Sequence, residues 1–130
     1  MKKYSFLLVV LSLLFMSCDS DYPSSPEEVL KMGIEAIHDN NLERVNRFFN
    51  LTNWNDVKNL KMFMEQNEGY LPDRIEIVEV KPTSVDYDGN ELCSIHAKTT
   101  RRDGFEEVYQ YTLKKSGSGK WKISPVWGRV

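Results

Sequence analysis

The sequence has few residues of the kinds that build covalent or metal frameworks. Its 130 residues include two cysteines and two histidines. The cysteines, Cys18 and Cys93, lie far apart, which excludes a disulfide-rich scaffold and a Cys-x-x-Cys metal pair. Positive charge is not in excess either, because the formal net charge is −2. Such a chain has no electrostatic footprint for nucleic acid, so we expect no nucleic-acid partner.

Long apolar runs are also missing, apart from one near the start. Residues Tyr4 to Met16 are almost wholly apolar. This run is too short for a transmembrane helix, which needs about 20 residues. Lys2 and Lys3 precede the run and the small Ser17 follows it. A basic start, an apolar core and a small residue predict a secretory signal peptide over residues 1–17.

A cysteine follows this leader immediately. The segment Phe15-Met16-Ser17-Cys18 resembles the lipobox of bacterial lipoproteins, although Phe15 and Met16 differ from the usual leucine and small residue. The resemblance implies that the Cys18 thiol receives a diacylglycerol group and that its amino group is acylated after cleavage. Because each buried methylene contributes about 0.8 kcal/mol, several chains on one residue make a durable anchor. The alternative is an ordinary signal peptide with a chance cysteine.

The residues after Cys18 leave the choice of membrane open. Asp19-Ser20-Asp21 resembles a surface-export signal of one Gram-negative phylum, whereas in enteric bacteria an Asp at this place resembles an inner-membrane retention signal. A solvated tether over residues 18–24 is the third interpretation. We expect a lipid anchor in the outer membrane, with the cell surface as an option. Removal of residues 1–17 takes away two lysines and no acid, so the net charge falls to −4 and the anchor must hold the membrane.

The order of patterns predicts an α+β domain over residues 25–130. Ser25, Pro26 and Glu28 form a capping box that begins a helix, and Asp39-Asn40-Asn41 ends it. Two more helices are expected, at residues 42–49 and from Trp54 to Gly69. After Pro72 the apolar period changes, and strands at residues 74–81, 92–100, 105–114 and 120–124 predict an antiparallel meander. The apolar shift from Ile77 to Val78 indicates a bulge or burial on both faces.

This order resembles the nuclear-transport-factor-2-like, or cystatin-like, domains of uncharacterised bacterial lipoproteins. The resemblance spans residues 25–127 and rests on Ser25–Val29, Ala36, the Asp39–Glu43 break and the ending Gly119-Lys120-Trp121-Lys122-Ile123. It implies N-terminal helices packed in a curved antiparallel sheet that forms a cone. Enzymatic cousins of the isomerase and dehydratase types work in this cone with Asp, His and Tyr.

Four residues are candidates for lining such a pocket: His38, Glu107, Tyr109 and Tyr111. His38 ends the first helix and either faces the cone or lies at its edge, where it would cap carbonyl groups. Tyr109 and Tyr111 share the inward face of a strand with Phe105 and are either core residues or hydrogen-bond donors to a ligand. Glu107 shares that face near the open rim. His96 is expected to point to solvent.

Two functions remain open on these residues. We favour a non-catalytic binding or interaction module, because no convincing acid–base pair is present. The alternative is an isomerase- or dehydratase-like enzyme that uses His38 or Glu107 with Tyr109 or Tyr111. No cofactor or metal is expected. The expected partners are the membrane, through Cys18, and an unknown protein or small molecule; a homodimer through the open sheet face is an analogy only. We expect Cys93 to be a core residue. Trp54 and Trp127 are expected either to pack on the domain or to anchor an interface. Charged side chains protect exposed strands from pairing with other chains, and this role is expected for Lys114, Lys115, Lys120 and Lys122.

Overall fold

A computed structural model describes residues 22–66, 71–125 and 127–130. The predicted signal peptide, Cys18 and Gly69 lie outside these residues. The described chain has three helices followed by six strands, which confirms the α+β order. The elements are α1 (Pro26–His38), α2 (Leu42–Phe48), α3 (Trp54–Gln66), β1 (Pro72–Val80), β2 (Ser84–Val85), β3 (Glu91–Arg101), β4 (Glu106–Lys115), β5 (Trp121–Ile123) and β6 (Gly128–Arg129). In this part of the chain no helix has the length and apolarity to cross a membrane.

Helix α1 begins and ends where the sequence predicts. The Ser25 side chain accepts a hydrogen bond from the Glu28 N–H at 3.2 Å, and Pro26 occupies the first helical position. Asn40 adopts a positive φ of 52°, a conformation that Asn tolerates, and so ends the helix. Between these ends the helix buries an apolar stripe and packs against β1, β5 and α2. The buried residues are Val29, Leu30, Gly33, Ile34, Ala36 and Ile37.

The strands form one antiparallel sheet in the order β1-β3-β4-β5, as the meander predicts. The short strand β2 pairs with β3, and β6 pairs with β4. The register between β1 and β3 shifts between Ile77 and Glu79, so Val78 is an extra residue in β1. This confirms the predicted bulge and leaves Val78 exposed.

Strands β5 and β6 follow each other along the same edge of β4. Ile123 pairs with Leu113 and Arg129 pairs with Tyr109, so two extra residues lie on the β5–β6 side. Pro125 stands in this interruption and has no N–H to give to a ladder. The sequence did not predict β2 or β6, because two-residue strands are too short to show an alternating period.

The core lies between the helices and one face of the sheet. The inward residues of β3 alternate as predicted, and Cys93, Ile95 and Ala97 are fully buried. Two aromatic residues do not pack in the core. Phe105 is half exposed, because it lies in the turn before β4, where the Arg101 guanidinium stacks 4.5 Å from its ring. Trp54 does not pack in the core: it starts α3 and is 75% exposed.

Candidate functional site

Glu107 and Tyr109 form a hydrogen-bonded pair on the inward face of β4. The Tyr109 hydroxyl donates to Glu107 Oε2, and Arg129 Nη2 lies 2.6 Å from Glu107 Oε1. Arg129 reaches this place because β6 pairs with β4 and sets Arg129 opposite Tyr109. The Glu107 side chain is only 10% exposed. Both of its carboxylate oxygens are therefore engaged by protein groups.

Tyr111 lies deeper on the same face and is fully buried. Its ring centroid is 6.3 Å from that of Tyr109 and 5.5 Å from that of Trp127. Burial raises the pKa of Tyr111, the neighbouring Tyr109 adds to this rise, and the Thr99 hydroxyl opposes it. The Thr99 hydroxyl donates a hydrogen bond to the Glu107 backbone carbonyl at 3.3 Å. The Tyr111 hydroxyl has no hydrogen-bond partner in the described structure.

Tyr109 is also held in its neutral form. Burial raises the pKa of its phenol, and the adjacent Glu107 carboxylate raises it further, against the opposing effect of Arg129. The two inward tyrosines therefore stay protonated at neutral pH. They act as hydrogen-bond donors or apolar surface rather than as bases.

His38 lies apart from this cluster, at the edge of the fold. Its Nδ1 is 2.8 Å from Asp39 Oδ1 and its Nε2 is 2.8 Å from Asp73 Oδ1. Its backbone carbonyl accepts a hydrogen bond from Arg102. These contacts tie the end of α1 to the start of β1 and to the β3–β4 turn. No hydrogen bond or ion pair among the described residues joins His38 to Glu107 or to the inward tyrosines, so the four candidate residues do not form one constellation.

A cleft of about 310 Å³ lies between α3 and the chain that joins β5 to β6. We call it the α3 cleft; its lining residues are Asp56, Asn59, Leu60, Phe63, Pro125 and Trp127. The Trp127 ring lies 6.1 Å from the Phe63 ring at an interplanar angle of 84°, and it also lies 6.1 Å from the Phe49 ring. Aromatic and aliphatic surface thus forms most of the cleft, which is the usual make-up of a small-molecule site.

Asp56 is the charged residue among the described residues that line the α3 cleft. Its Oδ2 accepts from the Thr52 hydroxyl at 3.2 Å, and its backbone N–H donates to the Asn53 side chain at 2.9 Å, which caps α3. No described residue donates to the other carboxylate oxygen, Oδ1. No lysine or arginine is among the described lining residues. The cleft therefore offers one carboxylate oxygen that no described residue engages, beside an aromatic wall.

Sequence reasoning missed this cleft. The apolar spacing of Trp54, Val57, Leu60 and Met64 indicates the helix, and of these Leu60 and Met64 are buried. A second stripe existed at Asp56, Asn59 and Phe63, whose spacings of three and four residues place them on one helix face. That signal alone does not say that Trp127, 64 residues beyond Phe63, meets this face.

The solvent face of the sheet carries charges that pair with one another. Lys98 Nζ lies 3.2 Å from Glu76 and 3.9 Å from Glu106. His96 was expected to point to solvent, but its side chain is only 15% exposed. It lies on the solvent face as expected, with Nε2 2.9 Å from Gln110 Oε1 and Nδ1 3.7 Å from Glu79. The side chains of Gln110 and Glu79, on the two neighbouring strands, cover the His96 ring.

Metal chemistry has no visible support in the described ranges. No group of three or more His, Cys, Asp or Glu side chains converges there to hold an ion. Cys93 is buried and unbonded, and burial raises the pKa of its thiol, so it is a core residue. Comparison with models of known protein families, with curated proteins and with solved structures finds no match.

Proposed function

We propose that this protein is a lipid-anchored binding module of the bacterial outer membrane. The anchor rests on the sequence: a signal-like leader that ends at Cys18 in a segment resembling a lipobox. The body is a domain of the nuclear-transport-factor-2-like type, exported and held by the lipid on Cys18. An open antiparallel sheet with helices on one face is compatible with the cone of that family.

The α3 cleft is the observation that best supports binding. It joins an aromatic wall to a carboxylate that has one oxygen not engaged by any described residue, on a helix and a strand interruption. A general base, by contrast, needs a free atom within hydrogen-bond reach of its substrate. The carboxylate oxygens of Glu107 contact Arg129 and Tyr109. The ring nitrogens of His38 contact Asp39 and Asp73.

The chemistry of the cleft selects a class of ligand. An anionic oxygen beside Trp127 and Phe63 favours an organic ammonium compound with an apolar or aromatic body. Aromatic faces attract cations through their quadrupole, by about 0.5–2 kcal/mol. The mature chain also carries a net charge of −4, which favours the approach of a cation over that of an anion.

A dye-binding titration tests this proposal. A fluorescent styrylpyridinium cation is titrated into the protein, with an anilinonaphthalene sulfonate anion as the oppositely charged probe. Asp56→Asn should weaken cation binding about two- to fivefold, as expected for the loss of one partly exposed charge contact. Glu65→Gln removes an exposed charge at the opposite end of α3 from Asp56 and serves as the matched control.

The outcomes of this titration are distinct. Stronger cation than anion binding, reduced by Asp56→Asn and kept by Glu65→Gln, supports the cleft. Equal binding of both dyes, or equal loss in both variants, contradicts it.

The enzyme alternative has one observation in its favour. Glu107, Tyr109 and Tyr111 adjoin one another on β4, as an isomerase- or dehydratase-like site requires. It needs Arg129 to leave the Glu107 carboxylate, so that an oxygen becomes free to take a proton. Mass spectrometry of a ligand before and after incubation with the protein separates the two functions, since a binding module returns it unchanged.

A further inference from the structure

The first described residue, Tyr22, is fixed against the body of the domain. Its ring centroid lies 5.6 Å from that of Phe48, and its hydroxyl donates to the Trp121 carbonyl. The Lys120 ammonium group lies 5.3 Å from the ring centroid. Tyr22, which belongs to the predicted tether over residues 18–24, therefore packs on α2 and β5.

Covalent geometry then limits how far Cys18 lies from this contact. Four residue steps separate Cys18 from Tyr22, and a fully extended chain covers at most about 14 Å over four steps. A lipid on Cys18 would hold that residue at the bilayer surface. The part of the domain around Tyr22 would lie within this short reach of the phospholipid headgroups.

The opposite end of the domain is much farther away. Strand β4 runs from Glu106 to Lys115 and is about 30 Å long at 3.3 Å per residue. Lys115 and the turn at Ser116–Gly119 are at the Tyr22 end, since Lys115 pairs with Trp121. Glu106 is at the other end. The tether therefore keeps the Tyr22 end near the membrane, and nothing in the tether holds the Glu106 end there.

The surface around Tyr22 carries basic side chains. Arg47 lies 5.9 Å from the Tyr22 ring, and Lys120 and Lys122 follow on the β4–β5 hairpin. The neighbouring Lys114 and Lys115 pair with Asp86 and Glu91 at 3.4 Å and 3.8 Å. No ion pair is formed by Lys120 or Lys122 within the described structure.

Acidic residues also lie at this end, and Asp19 and Asp21 precede Tyr22 outside the described residues. Glu27 and Glu28 begin α1, and Glu27 acts on Cys93 at the start of β3. Neither forms a described ion pair with Lys120 or Lys122. Within the described structure, no carboxylate pairs with the ammonium groups of Lys120 and Lys122, which remain available to a headgroup phosphate.

We infer that the surface of Tyr22, Lys120 and Lys122, which we call the tether surface, is the membrane-facing side of the protein and binds anionic phospholipid headgroups. The inference rests on the proposed lipid anchor at Cys18. A basic residue close to an anionic leaflet strengthens binding roughly fivefold. The lipid anchor supplies attachment, and the tether surface sets the orientation of the domain on the bilayer.

Energy transfer from the lipidated protein to labelled headgroups tests this orientation. With Cys18 acylated and Cys93 buried, an introduced cysteine is the accessible thiol for a donor dye. Gly117→Cys places the dye in the β4–β5 turn, where an added Cβ meets nothing within 4 Å. Glu106→Cys places it at the far end of β4. The acceptor is a headgroup-labelled phosphatidylethanolamine in phosphatidylcholine vesicles, with and without phosphatidylglycerol.

The expected transfer is several-fold stronger from position 117 than from position 106, and it rises at 117 when phosphatidylglycerol is present. Lys120→Gln with Lys122→Gln should remove that rise. Lys58→Gln with Lys61→Gln on α3 is the matched control and should keep it.

Equal transfer from both positions, or a rise that survives Lys120→Gln with Lys122→Gln, overturns the inference while the anchor stands. Flotation of the vesicles separates the two failures. Protein that does not float with the vesicles overturns the anchor at Cys18, and the orientation with it.

Discussion

Gly33 is the residue on which the seating of α1 depends most directly. A Cβ at this position would lie 2.3 Å from Ile123 Cδ1 and 3.1 Å from Phe49 Cε2. The helix approaches β5 and the end of α2 closely because this residue has no side chain. The same closeness lets Phe49 form its bridge with Ile123.

Gly33→Ala should therefore destabilise the domain. Overpacking a full core costs about 1–3 kcal/mol, which exceeds the gain of about 1 kcal/mol that Ala brings to a helix. Urea unfolding measures the change in the free energy of unfolding. Gly117→Ala is the control and should change it by less than about 0.5 kcal/mol, because its Cβ meets open space. A Gly33→Ala variant as stable as the parent would contradict this close approach.

At the scale of elements, buried tyrosines hold the N-terminal segment and β4 in place. Burial raises the pKa of Tyr22 to about 12, against the opposing charge of Arg47. The pKa values of Tyr109 and Tyr111 are raised as well, chiefly by burial. Each phenol thus binds its proton more tightly in the folded chain than in the unfolded chain.

Alkaline pH should therefore weaken the fold. The contribution of a phenol with a raised pKa is fully present below pH 10, the ordinary value, and is lost as the pH rises toward the folded pKa. Urea unfolding between pH 8 and pH 12 should show a level free energy of unfolding up to about pH 10 and a fall above it. Tyr22→Phe, which has no proton to lose, should make that fall shallower. A free energy that stays level or rises above pH 10 would disprove the assignment.

Elements also differ in how well the sequence predicts them. Ser25, Pro26 and Asn40 mark the ends of α1 because caps act through local hydrogen bonds and backbone angles. The bulge at Val78 was readable because an extra residue shifts the apolar period. The exposure of Phe105 was not predictable, since the alternation of inward and outward residues along a strand does not show where the strand begins. The exposed Trp54 shows the same limit for a helix N-terminus.

The candidate site was less predictable than the fold. Glu107, Tyr109 and Tyr111 were found from strand alternation, which is a local pattern. Arg129, which neutralises Glu107, and Trp127, which walls the α3 cleft, come from the last residues of the chain. Their positions depend on the interruption near Pro125, a tertiary feature with no period of its own.

At the scale of the whole molecule, the chain combines a short anchor with a compact body. Tyr22 docks on the body only four residues after Cys18, so a lipid there would leave little freedom of orientation. The α3 cleft and the tether surface are formed by different residues. One would bind a cation from solution, while the other would rest on headgroups.

Intact mass spectrometry of the mature protein from a native bacterial membrane tests the anchor most directly. The account predicts a chain that begins at Cys18 and carries the added mass of a diacylglycerol group and an amide-linked acyl chain. Cys18→Ala should remain uncleaved, without that mass. A mature chain with an unmodified Cys18 would contradict the anchor and the membrane orientation built on it.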